Sequence, residues 1–250
     1  MSNQTKGVEF FPTPQDLANL LVERIFWKKC ANYDTQGNMR SEENDNQLQL
    51  LEPSAGEGPF ARALAKYGPV TAIDPNFDDP EIEGVEWGRM SLEDLFEALD
   101  GERPFDVIGG NPPFSLAEAH LRLCFKMLRK LGVVAFLLRL GFLSSKGRAK
   151  FFAAYPPKHV FVLASRPSFM WSYTCKVVES EMLGGSGCGH KWFLPPGEAC
   201  KACPQCGNES IQCVKTDQYD YCFIVWQPDM PAGTETTLSF INTTGEEVDV

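Results

Sequence analysis

The sequence predicts an α/β protein built on a mainly parallel, doubly wound sheet. Strand-like and helix-like segments alternate between residues 48 and 165, which is typical of this fold class. The chain has 250 residues, 43% of them hydrophobic, which is enough for one such domain and a small insert. Five of the nine cysteines fall between residues 188 and 213, and this clustering indicates where the insert lies.

The predicted elements begin with a helix over residues 15–30, whose apolar side chains recur at helical spacing. The polar residues 31–46 are predicted to form a loop. The alternating elements that follow are the strand LQLLEPS, the helix PFARALAKYG, the strand VTAIDPN, the short helix SLEDLFEALD, the strand FDVIGGNPPF, the helix LAEAHLRLCFKMLRKLG and the strands VVAFLLRLGFL and HVFVLAS. YDYCFIVW is predicted as the last core strand, and the tail after it as either a short edge strand or a partly disordered segment.

The alternation breaks after HVFVLAS, and this break predicts the domain organisation. Residues 168–216 contain Gly, Pro and Cys without a clear period, so we interpret them as an insert into the core. The core then comprises residues 1–167, and residues 217–250 supply its last strand and the polar tail.

Charge is distributed unevenly along the chain. The net charge is −10, yet residues 119–178 hold eleven Lys and Arg and no Asp or Glu. This run indicates a basic face for a polyanion, and the alternative is a charge-skewed helix with solvated loops. No apolar run is long enough to span a membrane, and the first residues lack the pattern of a signal peptide. We therefore expect no membrane partner and a cytoplasmic location, in a bacterium or a phage-infected host cell.

The segment LLEPSAGEGPF places Gly56 and Gly58 between a predicted strand and a predicted helix. Glycines at such a turn allow the backbone to approach a nucleotide-like ligand, although an ordinary tight turn would have the same residues. Asp74 ends the next predicted strand, 22 residues after Glu52, where a carboxylate can accept hydrogen bonds from ribose hydroxyls. Together they favour a nucleoside-containing cofactor.

Four separated segments, in this order, resemble the motifs of the S-adenosylmethionine-dependent DNA adenine-N6 methyltransferases. They are FFPTP at 10–14, LEPSAGEGPF at 51–60, NPPF at 111–114 and TDQYDYCFIVW at 216–226. The resemblance implies a Rossmann-like class I methyltransferase fold, S-adenosylmethionine as cofactor and DNA as partner. It also implies that the cofactor-binding residues are Phe11, Thr13, Pro14, Glu52, Pro53, Ser54, Ala55, Gly56, Gly58, Asp74, Ser91 and Asn111.

Some of these positions admit a second interpretation. Thr13 and Pro14 also fit a helix start, with Thr13 as the capping residue and Pro14 in the first turn. Ser91 is the nearest candidate for a third polar contact to the cofactor, with Trp87 and Met90 as neighbours for its adenine ring.

The tetrapeptide Asn111-Pro112-Pro113-Phe114 is the predicted catalytic segment. A base amino group is a poor nucleophile because its lone pair is delocalised into the ring. The Asn111 side-chain carbonyl and the Pro112 backbone carbonyl can accept hydrogen bonds from the two N–H groups of the base amino group. The prolines hold both acceptors rigidly. Phe114 would stack on a base flipped out of the duplex. None of the three histidines is expected to act as a base.

The insert carries the pattern CGHKWFLPPGEACKACPQCG, which predicts a zinc-ribbon-like metal site. We favour Cys188, His190, Cys203 and Cys206 as the ligands, with Cys200 as the alternative to His190. The insert follows the catalytic segment, as the target-recognition region does in similar enzymes. It could therefore recognise the target or simply cover the sheet edge.

The leading functional prediction is methyl transfer from S-adenosylmethionine to adenine N6 in DNA. The alternatives are transfer to cytosine N4, an RNA base or a protein glutamine, or a catalytically silent module that only binds nucleic acid. A phage or restriction-modification setting is consistent with such an enzyme, but the sequence does not determine whether a partner restriction nuclease exists.

Overall fold

The computed structural model describes residues 12–26, 47–167, 169, 171–176, 188–194, 200–214, 219–230 and 234–242. The chain divides into two compact units. Unit 1 comprises Met1–Ser165 and Tyr219–Val250, and unit 2 comprises Arg166–Gln218. No helix in the described part of the chain is long and apolar enough to cross a membrane.

Unit 1 contains an eight-stranded sheet and five α-helices among its described residues. The helices are α1 (Gln15–Ile25), α2 (Pro59–Leu64), α3 (Leu92–Ala98), α4 (Ala117–Met127) and α5 (Ala149–Ala154). The strands are β1 (Leu50–Glu52), β2 (Val70–Ile73), β3 (Val85–Gly88), β4 (Phe105–Gly110), β5 (Leu128–Arg139), β6 (His159–Leu163), β10 (Tyr221–Trp226) and β11 (Thr237–Ile241). Unit 2 supplies β7 (Trp171–Cys175), β8 (Lys191–Leu194) and β9 (Ile211–Val214).

The large sheet has the strand order β11-β6-β10-β5-β4-β1-β2-β3. Every neighbouring pair is parallel except those of β10, which runs antiparallel to both β5 and β6. Strands β4 and β10 are buried along their whole length, as expected for central strands covered on both faces. The predicted doubly wound α/β architecture is confirmed.

The order of the strands reverses beside β1, because β2 and β3 follow on one side while β4 and β5 lie on the other. Loops that leave the carboxyl ends of β1 and β4 therefore separate to opposite faces and leave a crevice between them. This crevice positions the site described below.

Several element boundaries differ from the predicted ones. Helix α1 ends at Ile25, and Phe26 beyond it stacks on Tyr67 with ring centroids 3.9 Å apart. Helix α4 ends at Met127, and the predicted helical residues Leu128–Gly132 already belong to β5. The short strand β3 and the helix α5 were not predicted, and the tail contains β11, which is parallel to β6.

Unit 2 is a three-stranded antiparallel sheet in the order β8-β7-β9. Its described residues include few buried apolar side chains, among them Phe169 and Tyr173. A sheet of three short strands is at the lower limit of independent stability.

Candidate active site

A cleft of about 500 Å³ lies at the carboxyl ends of β1, β2 and β4, where the strand order reverses. Ligands of doubly wound folds bind at this position. The predicted site residues that line it are Thr13, Glu52, Pro53, Ser54, Ala55, Gly56, Asp74, Ser91, Asn111, Pro112 and Pro113. Pro14, Gly58 and Phe114 are placed outside the lining, and Phe11 lies outside the described residues.

The loop after β1 is tight, and two of its residues have positive φ angles, Gly56 at 55° and Gly58 at 80°. A Cβ atom on Gly58 would lie 2.5 Å from Cδ1 at the tip of the Ile82 side chain, which would have to shift, and the positive φ angle itself favours glycine at this position. The Gly58 N–H donates to the Ala55 carbonyl at 2.7 Å, and the Ala55 N–H donates to Ile73 at the end of β2 at 3.0 Å. These bonds fix the loop against the neighbouring strand.

The carboxylate of Asp74 is held in place by two backbone N–H groups, one from the loop after β1 and one from the loop after β2. Its Oδ2 accepts the Gly56 N–H at 3.0 Å, and its Oδ1 accepts the Asn76 N–H at 2.8 Å. The residue is only 7% exposed. Each carboxylate oxygen can accept a further hydrogen bond, so the group can still bind a pair of ligand hydroxyls.

Glu52 is a buried acid at the wall of the cleft, 1% exposed. Burial raises the pKa of its carboxyl well above 4.5, and the nearby charge of Asp74 also raises it. The hydrogen bond from the Ala61 N–H and the charge of Arg62 act in the opposite direction, but they do not outweigh burial. Its Oε2 is buried without a hydrogen-bond partner among the described residues. A buried carboxyl oxygen without a donor is costly, and a cationic or N–H group of a ligand in the cleft would supply the donor.

Asn111 follows β4 directly and is connected to the N-terminal segment. Its Nδ2 donates to the hydroxyl of Thr13 at 3.0 Å, and Thr13 is 7% exposed. Because the amide nitrogen is used in this bond, the side chain is oriented so that its Oδ1 can accept a hydrogen bond from a ligand in the cleft. Thr13 does not cap α1: the capping position is Pro14, and no side-chain bond caps the helix.

The two prolines separate the roles of the carbonyl groups that follow Asn111. The Pro113 carbonyl accepts the Leu116 N–H at 2.9 Å in the turn that leads into α4. The turn therefore uses the Pro113 carbonyl, while the Pro112 carbonyl beside Asn111 is not part of this bond.

Phe114 faces the side of β5 and β10. Its ring lies 5.8 Å from the ring of Tyr221, and the Arg139 guanidinium carbon is 4.7 Å from its centroid. The same guanidinium lies 3.8 Å from the centroid of Tyr219, which is 47% exposed. A planar cation thus already packs on the ring that was predicted to stack on a base.

Gly109 and Gly110 at the end of β4 have packing roles. A Cβ on Gly109 would lie 3.1 Å from the Ile25 side chain of α1, and one on Gly110 would lie 3.5 Å from Glu52. Gly109 therefore lets α1 pack closely, whereas a Cβ on Gly110 would make only an ordinary contact with Glu52.

The third predicted cofactor contact, Ser91, lines the cleft and also caps α3. It forms a capping box with Asp94, whose backbone N–H donates to the Ser91 hydroxyl at 3.1 Å. Trp87 and Met90, the predicted adenine neighbours, do not line the cleft: Trp87 packs beside Gly58, and Met90 packs beside Gly88.

Sequence reasoning missed several residues of the lining, namely Pro75, Asn76, Phe77, Leu92 and His120. Phe77 and Leu92 supply the apolar surface near Asp74 and Ser91, and their positions just after a strand and a capping serine could have indicated this. His120 is 5% exposed, its Nδ1 is 3.4 Å from the Ser54 hydroxyl, and burial lowers its pKa, against the charge of Glu93. It is therefore neutral near pH 7.

In unit 2 the structure brings together Cys175, Cys188, Cys203 and Cys206. Three of the predicted ligands belong to this group, but His190 does not. Its ring stacks on Trp192 with centroids 5.6 Å apart. The alternative ligand Cys200 is also outside the group, since its thiol donates to the Ala202 carbonyl at 2.9 Å. Cys175, at the end of β7, takes the fourth position.

Known structures resemble the chain in fold, while no family profile and no curated protein matches its sequence. A modification subunit assigned to a type I restriction enzyme of Vibrio vulnificus gives a TM-score of 0.50 at 12% identity, covering 95% of this chain. This chain spans 48% of the length of that subunit.

Two further structures give similar values. A protein of Listeria monocytogenes, assigned to the class I S-adenosylmethionine-dependent methyltransferases, has a TM-score of 0.49 at 12% identity, with 94% of this chain and 68% of that chain covered. One of Agrobacterium tumefaciens, assigned as an O-methyltransferase, has a TM-score of 0.45 at 13% identity, with 90% and 85% covered. The strand order, its reversal beside β1 and the likeness to the Vibrio vulnificus subunit define a Rossmann-like class I methyltransferase fold.

Proposed function

We propose that this protein transfers a methyl group from S-adenosylmethionine to the N6 amino group of adenine in DNA, with the target base flipped out of the duplex. The observation that carries the proposal is the hydrogen bond between Asn111 and Thr13. It fixes an amide acceptor in the lining of a cleft that also offers Glu52 and Asp74.

The cleft residues fit the cofactor. The buried, unsatisfied Oε2 of Glu52 suits the amino group of the methionine end, and Asp74 suits the ribose hydroxyls. Phe77 and Leu92 offer apolar surface for the adenine ring beside Ser91. Bound there, S-adenosylmethionine supplies an electrophilic methyl group.

The chain's own contribution to the reaction is to activate the target amino group. Asn111 Oδ1 and the Pro112 carbonyl accept hydrogen bonds from the two N–H groups of this amino group. These bonds draw the nitrogen lone pair out of conjugation with the ring. Both hydrogen bonds strengthen as positive charge develops on the nitrogen, so they stabilise the transition state more than the ground state. The proline backbone and the bond to Thr13 keep the acceptors in position without reorganisation.

The proton that the methylated nitrogen must lose does not need a base in the cleft. The methylated nitrogen must lose one proton, and His120 lies in the cleft lining beside Ser54. Because the acidity of the product ammonium is high, no general base is required, and we assign the proton to solvent. His120 then serves to pack and orient the loop that carries Ser54.

The base is proposed to approach from the side of β5 and β10. Phe114 offers a ring there, and the guanidinium of Arg139 shows that a planar group can pack on it. Base stacking on an aromatic ring contributes about 1–3 kcal/mol, which helps to offset the cost of flipping. Target recognition is proposed for residues 168–216, and no partner nuclease is assigned.

The test is to incubate the full chain with S-adenosylmethionine labelled in its methyl group and with DNA, RNA or protein, and to identify the labelled unit after digestion. The expected product is N6-methyladenine from DNA. Label found only in N4-methylcytosine, in RNA or in glutamine would overturn the assignment of substrate. Tight cofactor binding without transfer to any of them would identify a silent module.

Asn111→Ala provides the mechanistic control. It should lower kcat at least about 100-fold, the range seen when one transition-state hydrogen bond is removed. Cofactor affinity should change little, as measured by calorimetry. Asn76→Ala, on the loop after β2, changes the same residue type elsewhere in the cleft lining, and it should retain kcat because the proposal gives Asn76 no contact with the target amino group. Full activity of Asn111→Ala would contradict the mechanism.

A further inference from the structure

Four thiols of unit 2 converge from three separate parts of the chain. Cys175 is the last residue of β7, Cys188 lies just before β8, and Cys203 and Cys206 lie in the loop before β9. All four sulfur atoms lie within 4.8 Å of one another. The Cys175 and Cys206 sulfurs are 3.7 Å apart, and those of Cys188 and Cys203 are 3.6 Å apart.

The distances of 3.6 and 3.7 Å match two edges of a tetrahedron around a single metal ion, and the remaining sulfur pairs lie within 4.8 Å. With zinc–sulfur bonds of about 2.3 Å, neighbouring sulfurs of a regular tetrahedron are about 3.8 Å apart. The four protein sulfurs fill all the positions that tetrahedral zinc offers. Such a closed site is structural, whereas a catalytic site keeps one position for water or substrate.

The backbone around the thiols is shaped for thiolate ligands. The Cys188 N–H donates to the Cys175 sulfur at 3.4 Å, and the N–H groups of Gln205 and Cys206 point to the Cys203 sulfur. Gly207, with a φ of 73°, donates its N–H to the Cys203 carbonyl at 2.8 Å and closes the turn. N–H donors of this kind offset the negative charge of several thiolates around one cation.

The pairing of β7 with β8 explains why Cys175 is a ligand. The Cys175 N–H donates to the His190 carbonyl at 2.9 Å, which places the Cys175 thiol beside Cys188. His190 takes part through its backbone, and its side chain is stacked on Trp192.

We propose that unit 2 binds one zinc ion through the thiolates of Cys175, Cys188, Cys203 and Cys206, and that His190 and Cys200 are not ligands. The ion joins the end of β7 to the start of β8 and to the loop before β9. Because the described part of unit 2 buries few apolar side chains, metal binding supplies part of its folding free energy.

The first test measures metal content in the full chain, purified under reducing conditions without chelators. Mass spectrometry of the elements should find one zinc per chain. Cys175→Ser should lose most of this zinc, whereas the matched variants His190→Ala and Cys200→Ser should retain it. Retention by Cys175→Ser together with loss in His190→Ala would overturn the ligand set. Iron in place of zinc would overturn the choice of metal.

The second test uses the unaltered chain and therefore does not depend on how the variants fold. X-ray absorption at the zinc edge should show four sulfur atoms at about 2.3 Å. A nitrogen contribution at about 2.0–2.1 Å would contradict the all-thiolate site. Metal-free protein with disulfides among these cysteines, after purification under reducing conditions, would also overturn it. Neither measurement involves methyl transfer, so failure here is distinct from failure of the proposed activity.

Discussion

The Thr13 side chain could either cap helix α1 or form a hydrogen bond with a distant residue. The order Thr-Pro before a helix is typical of a capping residue followed by a first-turn proline. In the structure the Thr13 hydroxyl instead accepts the Asn111 amide, 98 positions along the chain. The N-terminal segment is therefore connected directly to the predicted catalytic segment, which makes Thr13 a positioning residue.

Thr13→Val removes this hydroxyl while keeping the shape of the side chain. We expect kcat to fall about 10- to 100-fold because the Asn111 amide loses its orientation, with a smaller change in cofactor affinity. Thr13→Ser keeps the hydroxyl and should restore most of the rate. Steady-state kinetics separate kcat from KM, and a loss in Thr13→Ser without a loss in Thr13→Val would show that the methyl group, and not the hydrogen bond, matters.

The buried carboxyl of Glu52 is expected to lower the stability of the cofactor-free fold and to strengthen cofactor binding. Since burial raises the pKa of its carboxyl above 4.5, the ionised form destabilises the cofactor-free fold above that pH. Glu52→Gln removes the charge, so without cofactor it should melt above the wild-type chain at pH 8, by about 2–4 °C for each kcal/mol relieved. The difference should shrink toward pH 5, where the wild-type carboxyl takes up its proton.

The same variant should bind S-adenosylmethionine about tenfold more weakly or worse, because a charge-assisted hydrogen bond is lost. Glu97→Gln, an exposed site on α3, is the control and should change neither property. Thermal melting across pH measures the stability without cofactor, and calorimetric titration measures the affinity for S-adenosylmethionine. A destabilised Glu52→Gln at pH 8 would contradict the account of the buried charge.

At the scale of the elements, the cofactor loop depends on Gly58 more than on its sequence neighbours. Gly58→Ala places a Cβ on a left-handed backbone and displaces the tip of the Ile82 side chain, so it should cost at least the roughly 1–2 kcal/mol of backbone strain. Gly101→Ala is a matched control with a φ of 88° and no atom within 4 Å of the added Cβ. Only Gly58→Ala should also weaken cofactor binding, as denaturant melts and titration would reveal.

Elements with strong periodicity or buried apolar runs could be predicted, and short or half-exposed ones could not. Strand β10 is a continuous apolar run and β4 is apolar apart from the buried Asp106, whereas β3 alternates weakly and none of its residues is fully buried. The end of α4 was missed because the residues after Met127 continue a helical spacing of apolar and basic residues. Tertiary pairing of β5 with β4 overrides that local preference.

The same distinction applies to the sites. Asn111, Glu52 and Asp74 were predictable because each lies at the end of a strand within a recognisable segment. Phe77 and His120 reach the cleft through loop and helix geometry, which leaves no periodic signal. Cys175 has no motif around it, and only the pairing of β7 with β8 brings it to the other thiols.

At the scale of the whole molecule, the basic run of residues 119–178 has a mixed role. Arg129 pairs with Asp106 at 3.0 Å, Arg122 pairs with Glu118 at 2.9 Å, and Lys158 donates to Gln227 at 2.7 Å. Lys146 and Lys150 are exposed and follow β5, whose carboxyl end lies at the same sheet edge as Asn111. They are the better candidates for contacts with DNA phosphates.

Removing both charges, as Lys146→Gln with Lys150→Gln, should raise KM for DNA and reduce the salt dependence of binding. The slope of log affinity against log salt should fall by about 0.9 for each phosphate that is no longer neutralised. A control with the same charge change is Lys66→Gln with Lys126→Gln, exposed positions near the amino ends of β2 and β5. Equal slopes for the two double variants would exclude a specific role for Lys146 and Lys150.

The antiparallel pairing of β6 with β10 has a consequence for how this protein can change. The chain leaves unit 1 after β6 and re-enters it before β10, and these two strands are hydrogen-bonded neighbours, with Cys222 opposite Val162. Exit and return are thus the two ends of a hairpin, whose register does not depend on the length of what lies between. Doubling a flexible connection costs only about 0.6 kcal/mol in closure entropy. The junction can therefore accept inserted modules of different size while the sheet of unit 1 stays the same.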